Sequence, residues 1–81
     1  TDIMKVLIFG AARDIIGKRE LDFPLPTNPS VKSFRENIFK EFPELKKLNA
    51  LAFAVNEEYA NDDDVLKNQD VVALIPPVSG G

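Results

Sequence analysis

The 81-residue sequence contains neither cysteine nor histidine. Without cysteine there is no disulfide to brace the fold and no thiol nucleophile. The joint absence also removes most zinc sites and every Cys–His or Ser–His–Asp arrangement, so self-contained catalysis by side chains is not expected. Only four glycines occur, at positions 10, 17, 80 and 81, which leaves neither a phosphate-cradling loop nor a dinucleotide fingerprint. The longest apolar run, Ala50 to Val55, is far too short to span a membrane. Ten basic residues face 13 acidic ones for a net charge of −3, and the bases are scattered, nowhere more than two together. That argues against a nucleic-acid footprint. The opening Thr1-Asp2-Ile3-Met4-Lys5 runs straight into a strand pattern without the regions of a secretory signal. A soluble, cytoplasmic domain is the expectation.

What is present suffices for one small core: 44% hydrophobic residues, six of them phenylalanine. Ile3 to Phe9 reads as a strand, with Met4, Val6 and Ile8 directed to the deeper core and Lys5, Leu7 and Phe9 on the opposite face. Ala11 to Ile16 reads as a short helical turn closed by Gly17. Arg19 to Leu25 alternates polar and apolar, and Pro24 confines it to an edge or a strand end. Ser30 is placed to cap the main helix, whose apolar stripe is Val31, Phe34, Ile38, Phe42 and Leu45, with Pro43 ending it near Phe42. Lys32, Arg35, Glu36, Lys40 and Glu41 fall off the stripe and are expected in solvent. Ala52 to Asn56 reads as a third strand, Glu57-Glu58 as a turn, Tyr59-Ala60 as a short fourth strand, and Val71 to Ile75 as a central last strand. Val65-Leu66 is expected to tuck a loop against the core. Asp62-Asp63-Asp64 lacks the turn glycine and distal glutamate of a calcium loop, so a solvated turn is expected and no metal site. Arg13 and Asp14 read as a surface ion pair rather than an anion site. The order β-β-α-β-β, one long helix across a mixed sheet, predicts an α+β domain of the ubiquitin-like β-grasp class over residues 1–75, with residues 76–81 as a flexible tail.

That tail, Pro76-Pro77-Val78-Ser79-Gly80-Gly81, carries the functional signal. At ordinary glycine usage a Gly-Gly ending arises by chance about once in 200 sequences. A residue before proline is held extended, so Ile75 can finish its strand and aim the chain outward. Pro76-Pro77 favours a stiff polyproline stalk. Six residues beyond Ile75 reach roughly 20 Å when extended, enough to carry a carboxylate deep into another protein. Two glycines without Cβ atoms let the walls of a narrow tunnel close on the backbone. The reacting group would be the main-chain carboxylate of Gly81, which must be activated as an acyl-adenylate before a nucleophile can displace AMP.

The ending resembles that of the MoaD-type sulfur carriers, the small subunits of molybdopterin synthases. Lys5-Val6-Leu7-Ile8-Phe9-Gly10, Arg13-Asp14-Ile15-Ile16-Gly17, Ala54-Val55-Asn56 and Asp70-Val71-Val72-Ala73-Leu74-Ile75 are similar to that family too. Residues 18–47 match by pattern only. The resemblance implies that Gly81 is adenylated by an ATP-dependent enzyme of the ubiquitin-activating type and converted to a thiocarboxylate by a sulfur donor. It implies that the tail enters a large subunit holding the catalytic residues, in an assembly of two small and two large subunits, and that sulfur passes there to cyclic pyranopterin monophosphate. No stably bound cofactor is implied. The resemblance also implies partner docking through an apolar patch at Phe9, Tyr59 and Ile75; the alternative is that these three are ordinary core residues. Rival readings are a sulfur carrier of another pathway such as thiazole synthesis, a ubiquitin-like protein modifier, and an interaction module with an inert tail. The proline pair counts against the thiazole type.

Overall fold

The computed structural model describes residues 2–48 and 50–76. Strand β1 (Ile3–Ile8) buries Met4, Val6 and Ile8 completely, while Ile3, Lys5 and Leu7 face the other way, as its alternation requires. A short helix α1 (Gly10–Ile16) follows, one residue earlier than expected, and Gly17 ends it in the left-handed conformation at φ 81°. Strand β2 (Glu20–Pro24) returns antiparallel to β1. Helix α2 (Val31–Glu41) then crosses the sheet, followed by a 3₁₀ helix (Pro43–Lys47), β3 (Ala52–Val55), β4 (Glu58–Tyr59) and β5 (Val71–Ile75). The sheet order is β2-β1-β5-β3-β4, with β1 and β5 parallel and every other pair antiparallel. This is the β-grasp roll expected from the element order, with β5 central and the proline-bearing β2 at an edge.

The helix stripe buries Val31, Phe34 and Ile38. Phe34 stands edge-on to two rings at once, Phe23 of β2 at 5.5 Å and Phe53 of β3 at 5.9 Å between centroids. One side chain thus ties the helix to both halves of the sheet. Phe42 ends α2, and Pro43 opens the 3₁₀ helix, a geometry not anticipated from the sequence, through which Leu45 still reaches the core. The first N–H groups of α2 lack partners within the helix. Here the acidic turn supplies them: the carbonyls of Asp64 and Asp62 accept from Val31 and Lys32, and the Ser30 hydroxyl accepts from the Ser33 N–H at 3.1 Å. Three aspartates beside a helix N-terminus also suit the helix dipole.

Four expectations change. The turn between β3 and β4 is Asn56-Glu57, not Glu57-Glu58, because β4 pairs Glu58 with Val55 and Tyr59 with Ala54. In the loop, Leu66 is buried but Val65 is 67% exposed, since its bridge to Ser30 turns its side chain outward. Arg35 is half-buried rather than solvated, pairing with Asp62 at 2.8 Å. Among the described residues the ion pairs are this one and Lys5–Glu20. Arg13 and Asp14 do not pair; the Arg13 Nε donates to the Ile8 carbonyl and fastens α1 to the end of β1.

Candidate functional site

Because β1 and β5 run parallel, they finish at the same side of the sheet. Leu7 lies beside Ala73 and Ile8 beside Leu74, so Phe9 and Ile75 follow as neighbours where both strands end. The register continues across the face: Ala73 pairs with Ala54, and Ala54 with Tyr59. Leu7, Ala73, Ala54 and Tyr59 therefore form one transverse apolar row on the face away from α2. The two alanines are a low floor, and Leu7, Phe9, Tyr59 and Ile75 stand around it. The result is an open groove of about 340 Å³ whose lining ends at Val71 and Glu57. Phe9 is 43% and Tyr59 75% exposed, while Ile75 is half-buried. The three residues implied as a docking patch thus share one groove, with none of them buried in the core. Exposed apolar groups gathered in one place mark contact surfaces.

The base of the tail meets the domain at the same end. Gly10 adopts φ +53°, and a Cβ built there would lie 3.0 Å from the Pro76 Cγ. The left-handed backbone and the close proline both favour glycine there. Pro76 is half-buried and lies against Gly10, directly after the groove residue Ile75. Pro77, Val78, Ser79, Gly80 and Gly81 lie outside the described residues.

At the groove's other end, Asn56 and Glu57 both have positive φ, 50° and 73°. Asn56 secures the turn: its Nδ2 donates to Asp70 at 3.1 Å, and its Oδ1 accepts from the Val71 N–H at 3.0 Å. Sequence reasoning missed Ala54, Ala73, Glu57 and the Gly10–Pro76 contact. Leu7 was already on the Phe9 face by alternation, but the alanines become a floor only through strand register, which no local pattern specifies.

A model of the ThiS family matches residues 6–81. The chain belongs to the ThiS family. This ThiS-family chain is 38% identical over 81 residues to the molybdopterin synthase sulfur carrier subunit of Caenorhabditis elegans, covering 96% of each. Among solved structures, it superposes on a Pyrococcus furiosus protein described as subunit 1 of molybdopterin converting factor. That match has a TM-score of 0.86 at 30% identity, over 96% of this chain and 100% of that one. It also matches a chain of the Helicobacter pylori complex of subunits 1 and 2 of molybdopterin-converting factor, with a TM-score of 0.68 at 32% identity, covering 98% and 99%. No helix among the described residues of this ThiS-family chain is long and apolar enough to cross a membrane.

Proposed function

We propose that this chain is the sulfur-carrier subunit of a molybdopterin synthase, and that its reacting group is the carboxylate of Gly81. A carboxylate oxygen attacks the α-phosphorus of ATP on an adenylating partner, and pyrophosphate leaves. Sulfur delivered by a donor at the sulfide level then displaces AMP from the acyl-adenylate, giving a thiocarboxylate. Residues 76–81 carry it into the large subunit, which supplies the catalytic side chains. The thiocarboxylate sulfur attacks a carbon of the pterin precursor and displaces the oxygen substituent it carries, forming a thioester. Water then cleaves that thioester, leaving the sulfur on the pterin as a thiol and returning Gly81 as a carboxylate. The assembly in this reading is of two small and two large subunits. The groove at Phe9, Tyr59 and Ile75 docks the partner, and Pro76 against Gly10 sets where the tail departs. In this reading the chain is not itself a catalyst, consistent with its lack of histidine and cysteine.

One observation carries the reading: in a chain similar to sulfur carrier subunits over nearly its whole length, β5 ends beside an apolar groove, and the sequence that follows it is Pro-Pro-Val-Ser-Gly-Gly. The test is intact-mass spectrometry before and after incubation with ATP, an adenylating enzyme of the ubiquitin-activating type and a sulfur donor. The expected result is replacement of one oxygen by sulfur at Gly81, absent in a Gly81 deletion that folds normally. Adding the large subunit and cyclic pyranopterin monophosphate should discharge the sulfur. An unchanged mass, with the activating enzyme working on another carrier, would refute the assignment.

A further inference from the structure

The groove is lined by apolar and aromatic side chains and by one carboxylate. Among the described residues that line it, Glu57 alone is charged. Its backbone at φ 73° is a conformation that asparagine or glycine adopts readily and glutamate rarely. Glu57 forms no hydrogen bond or ion pair through its side chain with any described residue. The neighbouring Glu58 differs in the way that matters: it pairs with Val55, whose side chain packs toward the core, so strand alternation sends it to the face opposite Tyr59 and the groove. Two adjacent carboxylates are thus sorted by the turn. One stands at the lip of the apolar groove, held by the Asn56 bonds to Asp70 and Val71, and the other points away from it.

An acid at the edge of an apolar depression selects a partner that presents a cation beside its apolar contact, because charge complementarity at an interface rim suppresses partners lacking it. We propose that Glu57 is a specificity-determining residue of the docking face, pairing with an arginine or lysine that the large synthase subunit places next to the apolar side chain filling the groove. The inference rests on the sulfur-carrier reading.

The test uses the large subunit encoded in the same genome and compares the wild-type chain with Glu57→Asn and Glu58→Gln, titrated by calorimetry at low and high salt. Asparagine keeps the left-handed turn and removes the charge; Glu58→Gln removes the same charge one residue away on the other face. Glu57→Asn should bind about tenfold more weakly at low salt, with the difference shrinking as salt screens the wild-type pair. Glu58→Gln should stay within about twofold of wild type, as expected for a charge outside the contact. Equal affinity of Glu57→Asn and wild type overturns the proposal, as does an equal loss in both variants. If the wild type gains sulfur at Gly81 and binds while Glu57→Asn is indistinguishable, only this inference fails. If it neither gains sulfur nor binds, the sulfur-carrier reading fails and this one with it.

Discussion

Gly10→Ala tests whether the start of the tail is fixed to the domain. Two effects act against alanine there. Holding an L-residue at φ +53° costs about 1–2 kcal/mol. The new Cβ would also stand 3.0 Å from Pro76 Cγ, inside normal contact, so the ring must shift or the helix start must move. For a single atom that crowding costs roughly 1 kcal/mol, the low end for overpacking. In the opposite direction, alanine narrows the unfolded ensemble and returns about 0.4–1 kcal/mol. The net expectation is a loss of roughly 1–2.6 kcal/mol, which for a domain of this size lowers Tm by about 4–20 °C. Thermal unfolding followed by circular dichroism reads it. The same substitution in a Pro76→Ala background should cost less, by roughly 0.5–1 kcal/mol of coupling, because the ring is gone while the backbone strain remains. A Tm within about 2 °C of wild type would show that the strain is relieved elsewhere. Strict additivity of the two changes would show that Gly10 and Pro76 do not touch.

Two further outcomes test the core and the helix start. Phe34→Ala should remove about 3–5 kcal/mol of burial together with two edge-on ring contacts, a large part of the roughly 4–12 kcal/mol available to a domain of this length. Urea unfolding should show a sharply lowered midpoint, and an unchanged midpoint would mean that Phe34 does not hold the helix to the sheet. Ser30→Ala should cost about 1 kcal/mol, since the Ser33 N–H loses its acceptor; full retention of stability would mean that another group caps α2.

Much of the local structure was legible because it depends on short-range rules. Alternation assigned Met4, Val6 and Ile8 to the core, and spacing placed Val31, Phe34 and Ile38 on one helix face. Ser30 and Gly17 marked helix ends through hydrogen-bonding and conformational preferences that act within a few residues. Where several local solutions are nearly equal in energy, short-range rules do not choose between them. The turn after β3 is Asn56-Glu57, one residue earlier than local patterns suggest, and Glu58 belongs to β4. Arg35 lay off the apolar stripe yet is half-buried, because its partner Asp62 comes from a loop distant in sequence.

The sequence by itself determined the main helix, the longer strands and most of their core-facing residues, since periodicity and proline geometry are properties of the chain alone. Only the tertiary structure decided that β5 enters between β1 and β3. That insertion lines up Leu7, Ala73, Ala54 and Tyr59, sets Phe9 beside Ile75, and brings Pro76 against Gly10. The physical reason is that strand order and register are fixed by burying both helix and sheet against one core, a condition on the whole chain that no short window contains.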